Sequence, residues 1–322
     1  MNYFTKDKPY NTLTEYYKAL YGKKIAKISL NANFTCPNKD GKKGYGGCIF
    51  CSKLGSGDFA GDKNKPLKEQ YQDVKEVMIK KWPNAGFIAY LQANSNTYSN
   101  LDELKRIYEE VLSIDKDIIG LDIATRADCI TKEIAAYLGK LNKRKKITVE
   151  LGLQSASDET KRFINQLECN SEFTKAISLL RKENIEIVLH IINGLPNETK
   201  EDMINTIKFI NTLDIQGIKF HSLLILEHTK LGQLYKEKPF KILSLEEYVD
   251  IVTTQITYLR DDIIIHRLAA DGVYSDLIEP KWTRKKMVVM NEIDKKLRKE
   301  HLYQGMKKEQ WHHCSFNLAI LH

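Results

Sequence analysis

Apolar, β-branched runs recur along the chain with amphipathic stretches between them, the signature of βα units that build a parallel sheet. Runs that read as strands begin near Ile25 (KIAKISL), Phe87 (FIAYLQ), Ile118 (IIGLDIAT), Ile147 (ITVELGLQ), Ile185 (IEIVLHII), Gly217 (GIKFHSLLIL) and Ile263 (IIIHRL). Successive starts lie 62, 31, 29, 38, 32 and 46 residues apart. About 30 residues suffice for one strand, one crossover helix and two loops. Between the second and third runs, Leu101, Leu104, Ile107, Tyr108, Val111 and Leu112 fall on one side of a helix. Repeated units of this kind close into a full or partial barrel, or form an open doubly wound sheet. The strand pattern ends near residue 268, which predicts a core over 1–268 and a helical C-terminal extension over 269–322.

Composition narrows the class. With 42% hydrophobic and 29% charged residues, 17 Gly and 7 Pro in 322, the chain is globular, neither disordered nor collagenous. Lys6, Asp7 and Lys8 interrupt the N-terminus where a signal peptide needs an apolar stretch, and the longest uncharged span, 83–101, is too rich in Asn to cross a membrane. A cytoplasmic protein with no membrane partner is expected, and its six Cys are then free, metal-bound or catalytic rather than paired.

The net charge of +8 is concentrated. Residues 281–308 hold ten basic side chains against three acidic ones, and a second cluster comprises Lys140, Lys143, Arg144, Lys145 and Lys146. Such clusters attract polyanions, nucleic acid above all, although a solvated helix face has the same composition.

The first strand leads into Cys36, Cys48 and Cys51, a C-x11-C-x2-C pattern in a glycine-rich loop. Three thiolates so placed can bind three irons of a [4Fe-4S] cluster and leave the fourth iron open. Gly44, Gly46 and Gly47 let the backbone bend close to it. Structural zinc is the competing reading, but it normally takes four Cys or His ligands, and no other Cys or His precedes Cys129. Free thiols are the third.

This loop, with Phe50 just before the last Cys, resembles that of the radical S-adenosylmethionine (SAM) superfamily. Further motifs appear in order: KISLNANFTCPNKDGKKGYGGCIFC, YLQANSNTY, IATRADC, ELGLQS, INGLPNET and HRLAADG. Together they resemble the YhcC/YtqA family, relatives of the elongator-type radical SAM proteins, over nearly residues 3–305. The resemblance implies an α/β fold, the partial (β/α)6-type TIM barrel of that superfamily with a helical, basic C-terminal extension. It also implies a [4Fe-4S] cluster and SAM as cofactors. In that superfamily the open iron chelates SAM, and an electron from the cluster cleaves the sulfonium to methionine and a 5′-deoxyadenosyl radical, which abstracts a hydrogen atom.

Candidate SAM contacts then follow at the carboxyl ends of the strands, where α/β folds build their sites. Besides Phe50 they are Gln92, Asn94, Asn96 and Thr97 after the second strand, or else a polar turn; and Thr125 with Arg126 after the third, where Arg126 either pairs with the SAM carboxylate or forms a surface salt bridge. Glu150 and Gln154 share one face of the fourth strand, and a carboxylate in an apolar strand needs a partner. Gly194 permits close backbone approach to adenine, or simply turns the chain. His190, His221 and His266 in apolar strands, with Arg267 and Asp271, are weaker candidates for the substrate; Cys129, Cys169 and Cys314 receive no role.

One departure stands out. Relatives carry an Asn-Arg-Gly-His run after the fourth strand, where this chain reads Asn165, Gln166, Leu167, Glu168. Gln166 supplies no positive charge, which shifts that role to Arg126 or weakens SAM binding.

The resemblance further implies tRNA as partner, with conversion of 5-carboxymethylaminomethyluridine to 5-aminomethyluridine at the wobble position, and an external one-electron donor whose identity the sequence does not give. Trp282, Tyr303 and Trp311, interspersed with the C-terminal basic residues, either stack on RNA bases or pack the extension down. A radical SAM enzyme for a small metabolite, and a metal-stabilised RNA-binding module without catalysis, are the alternative functions.

Overall fold

A computed structural model describes residues 2–55, 57–270 and 275–307. Asp271, Trp311 and Cys314 lie outside the described residues.

Seven strands form one parallel sheet in the order β1 (Ile25–Leu30), β2 (Gly86–Leu91), β3 (Ile118–Thr125), β4 (Lys146–Gln154), β5 (Glu186–Asn193), β6 (Gly217–Ser222) and β8 (Ile264–Arg267). These are the seven runs expected from the hydrophobic pattern. Each strand is added on the same side of the last, so the sheet curls into the partial barrel of α/β type. β2 is buried along its whole length, as a strand covered on both faces must be.

The connecting helices are α2 (Leu67–Lys81), α3 (Leu101–Ser113), α4 (Lys132–Asn142), α5 (Asp158–Phe163), α6 (Asn170–Lys182), α7 (Lys200–Asn211) and α9 (Leu245–Tyr258). Asn100, Thr131, Thr199 and Ser244 accept the backbone N–H of the third residue of α3, α4, α7 and α9, so side chains fix where these helices begin. On α3, Leu104, Ile107, Tyr108, Val111 and Leu112 are buried, as their spacing requires.

A helix ahead of the sheet, α1 (Leu13–Tyr21), touches both end strands, β1 and β8. Thr12 pairs in parallel with Ile265, and the Ile265 N–H donates to the Asn11 carbonyl (2.8 Å). Tyr17 of α1 packs with Ile25 and Ile88, and the Tyr16 hydroxyl donates to Glu186 (2.8 Å) at the start of β5. The N-terminal segment therefore spans the gap between the first and last strands and covers the amino end of the barrel.

The run GIKFHSLLIL is not one strand. β6 ends at Ser222, and Leu223 turns into a second apolar cluster with Ile49, Ile164, Leu195, Ile225 and Leu231. Here β7 (Ile225–Leu226) pairs antiparallel with β9 (Leu277–Glu279), and α8 (Lys230–Glu237) follows. The segment after residue 268 thus contains a short strand as well as α10 (Lys286–Lys299). Val289, Ile293 and Leu297 of α10 belong to the same core as the sheet, beside α9. Trp282 packs on Tyr248 (ring centroids 5.0 Å) and its indole N–H donates to Leu243 (2.8 Å), so this aromatic fastens the segment down. Tyr303 is half exposed.

Candidate active site

Cys36, Cys48 and Cys51 line a single cavity of about 560 Å³ at the carboxyl ends of the strands. The loop that carries them is braced from the far side of the barrel. The Asn38 amide donates to the Asn165 carbonyl (2.5 Å) and approaches the Cys48 sulfur (3.6 Å), while Asn165 donates to the Gly47 carbonyl (2.7 Å). Gly47 has φ 74°, and a Cβ there would lie 3.1 Å from Lys39, so this turn beside the thiols needs glycine. The Ile49 N–H donates to Ile164 (3.0 Å), and the Ile49 carbonyl accepts the Leu231 N–H (2.8 Å). The second apolar cluster therefore grips the segment between Cys48 and Cys51.

Burial pushes the Cys48 thiol up, and neighbouring Cys51 pushes it further. Among the described residues no three Cys, His, Asp or Glu converge on one metal ion. Three thiols lining one cavity suit a group that takes one thiolate per iron. With glycine at the loop and open volume beside it, the donor set fits a [4Fe-4S] cluster with room for SAM.

Gln92, Asn94, Thr125, Arg126, Glu150, Gln154 and Phe50 line this cavity. Asn96 and Thr97 do not. The Asn96 amide is spent on the carbonyls of Leu91 (3.1 Å) and Ala124 (2.8 Å), and Thr97 bonds Thr125 (2.7 Å) and the Cys129 carbonyl (3.0 Å). Both are buried and lace β2 to β3, a use of polar side chains that a motif cannot distinguish from ligand binding. Gly194, with φ 90°, sits beside Leu243 and Leu223 in a separate small hollow.

Arg126 is buried rather than part of a surface salt bridge. It forms a fork to Asp128 (2.9 and 2.7 Å) and reaches Glu168 (3.3 Å). Glu168, whose carboxyl burial pushes up, also accepts the Ala127 N–H (2.8 Å) and the Gln166 amide (3.1 Å), and Gln166 donates to Gly152 (2.6 Å). Gln166 thus anchors β4, and Arg126 lines this part of the cavity as a cation, as does Lys39, whose ammonium donates to Asn94 (3.0 Å).

Deeper in the barrel the strands place polar side chains where branched apolar ones are usual. Glu150 is the hub: its carboxylate accepts Lys27 (2.8 Å), Lys219 (2.5 Å) and His190 (2.9 Å). Lys27 also pairs with buried Asp122. This explains how a carboxylate survives inside a strand: despite burial, the two lysines and His190 hold it well below the ordinary range. Burial lowers His190 to about 4, aided by Lys219, and drives His221 and His266 well below the ordinary value. Lys219 is lowered to about 8, by burial first, with Lys27 and Arg267 adding to it. His190 and His221 lie with ring centroids 5.3 Å apart. His190, His221, His266 and Arg267 all line the cavity, as do Lys27, Tyr90 and Lys219, which sequence reasoning passed over. The signal was available, since Lys27 and Lys219 interrupt apolar strands just as Glu150 does.

The basic cluster at 140–146 precedes β4 and so lies at the amino end of the sheet, opposite the cavity. Arg144 pairs with Glu109 (2.7 Å) and Lys146 with Glu186 (2.7 Å). By contrast, contact between Trp282 and Leu243, next to Gly194, puts the start of the C-terminal basic segment at the cavity end. No helix among the described residues is long and apolar enough to cross a membrane.

Comparison with known proteins gives the same outline. Residues 41–210 match the radical SAM superfamily model, and residues 215–299 match the Radical_SAM C-terminal domain. The chain is 39% identical to YtqA of Bacillus subtilis over 94% of both chains. It is 25% identical to a tRNA uridine(34) acetyltransferase of Methanocaldococcus infernus, over 67% of this chain and 38% of that protein. Among solved structures, the archaeal Methanocaldococcus infernus Elp3 superposes with a TM-score of 0.63 at 15% identity, over 88% of this chain and 64% of that one, which shows a shared fold.

Proposed function

The chain belongs to the radical SAM superfamily, within its YhcC/YtqA family, and from that premise we propose that it modifies tRNA, converting 5-carboxymethylaminomethyluridine at the wobble position to 5-aminomethyluridine. SAM would be the two-electron oxidant, ending as methionine and 5′-deoxyadenosine, and water would cleave the oxidised C–N bond to release the carboxymethyl carbons as glyoxylate. The observation that carries the radical chemistry is the meeting of three thiols and a deep polar cavity at one end of the barrel. When bound there, the cluster and SAM supply a 5′-deoxyadenosyl radical able to take a hydrogen atom from an unactivated carbon. An external one-electron donor is part of this reading.

The protein's own residues have definable tasks. Cys36, Cys48 and Cys51 hold the cluster. Gln92, Asn94, Thr125 and Gln154 offer hydrogen bonds to SAM, and Arg126 is a cation on that side in place of the arginine that position 166 lacks. Glu150, with Lys27, Lys219 and the neutral histidines, forms the inner end against which a substrate group rests. A distant relative named for an activity on tRNA uridine 34 supports the substrate class, as does the basic segment that starts at the cavity end.

The test is anaerobic reconstitution with iron and sulfide, then dithionite and SAM, in wild type and Cys48→Ala, with bulk tRNA from a strain lacking the gene. The expected result is 5′-deoxyadenosine and loss of the carboxymethylated nucleoside in wild type alone. Formation of 5′-deoxyadenosine without any change in tRNA nucleosides would sink the tRNA substrate.

A further inference from the structure

Among the described residues six rings line the cavity, and five of them are engaged. Phe50 packs against the second apolar cluster. The ammoniums of Lys27 and Lys219 stand over the Tyr90 ring at 5.4 and 4.8 Å. His190 and His221 lie against each other, and His266 presses on Gly217, where a Cβ would come within 2.6 Å of its Nε2. Phe59 differs from these. It lines the cavity yet is 54% exposed, so it stands where the cavity opens to solvent, and among the described residues it joins none of the apolar clusters. The chain on either side of it is tied down: the Gly55 carbonyl accepts the Asn94 N–H (2.9 Å), the Gly61 N–H donates to Ser29 (3.1 Å), and the Ala60 N–H donates to Gly57 (2.9 Å) across the turn itself. An aromatic on an anchored turn presents a flat face at little entropic cost. Charge on this loop nearly cancels, with Lys53, Lys63 and Lys65 against Asp58 and Asp62, so the ring and not a field is what the site offers.

We propose that Phe59 is the platform on which the base of the target nucleotide stacks while its C5 side chain reaches the inner end of the cavity. The inference rests on the function proposed above and adds to it the residue that positions the base. A base in a single-stranded RNA loop can be splayed out with its π-face open, and stacking on an aromatic ring needs no counter-charge. The adenine of SAM is the other flat group at hand. A cofactor enclosed beside the thiols has no call on a half-exposed ring, whereas a substrate that arrives from solvent meets this ring first.

The experiment is a filter-binding titration of the reconstituted, SAM-loaded protein, over a range of salt, with two synthetic anticodon stem-loop RNAs, one carrying 5-carboxymethylaminomethyluridine at the wobble position and one abasic there. Wild type, Phe59→Leu and Phe59→Trp are compared. Phe59→Leu stays apolar but loses the flat face; it is expected to weaken the intact RNA about tenfold, to leave the abasic RNA unchanged, and to leave the slope of log affinity against log salt unchanged. Phe59→Trp is expected to hold the intact RNA at least as tightly as wild type. SAM affinity, measured before loading, is expected to be the same in all three. In a folded Phe59→Leu protein of normal iron content, an equal loss for both RNAs, a loss for neither, or a loss of SAM affinity in place of the RNA effect overturns the inference. Should Phe59→Leu not fold, a Phe59→Trp protein that loses the intact RNA overturns it. The tRNA substrate is judged apart from it: altered tRNA nucleosides with no effect of Phe59→Leu overturn only the platform, whereas wild type that binds neither RNA and leaves tRNA unaltered overturns the substrate and the platform with it.

Discussion

Glu150 shows what one residue in a sequence can and cannot say. A carboxylate within an apolar strand announces a partner, yet nothing in the run ITVELGLQ names Lys27, 123 positions away, or Lys219, 69 positions away. Their convergence is a property of the sheet's curl. The expected result for Glu150→Gln is therefore a loss of stability of about 3–5 kcal/mol, because two buried lysines lose their shared anion; urea unfolding measures it, and a loss under about 1 kcal/mol would show that water compensates them. Glu198, in the motif INGLPNET, behaves differently. Its carboxyl bonds Ser155, at the end of β4, and is pushed up to about 7 by burial, against the pull of bonds to Ser155 and Thr160. The folded protein thus binds this proton more tightly than the unfolded chain, so stability present below about pH 4.5 is lost as pH rises through about 7. Unfolding midpoints of wild type and Glu198→Gln at pH 5 and pH 8 test this: the variant is expected to lose less stability between the two than wild type does.

At the scale of elements the seven strands were legible because each is a short apolar run set off by turn residues, and α3 because its apolar positions recur with helical spacing. Elements fixed by distant contacts were not. The β7–β9 pair joins residues about 50 apart through two-residue ladders too short to leave a pattern. The role of α1 is equally hidden, since its amphipathic face gives no sign that it bridges the first and last strands. Tyr17 is the residue that seats it, packed with Ile25 and Ile88. Tyr17→Ala is expected to cost about 3 kcal/mol and to speed hydrogen exchange in β1 and β8 together. Exchange confined to α1 would mean that the two strands hold without the bridge.

For the molecule as a whole, charge was visible in the sequence but its placement was not. Two basic clusters looked equivalent. The cluster at 140–146 lies at the amino end of the sheet, whereas the C-terminal basic segment runs from Trp282 at the cavity end back to Arg298, which bonds the Asp7 carbonyl, and Gln304, which bonds Asn11, so that only its start is the candidate RNA contact. Plots of log affinity for tRNA against log salt decide between them: Lys281→Ala with Lys285→Ala is expected to reduce the slope by about 2, and Lys140→Ala with Lys143→Ala to leave it unchanged. Equal effects would mean that the attraction is general to the surface. The covering of the barrel's amino end by α1, whose Leu13 reaches the cavity wall, has a kinetic corollary. With its lower end closed, the chamber works as a queue with one door: a side chain lodged against Glu150 must arrive before whatever occupies the space nearer the thiols, and must depart after it.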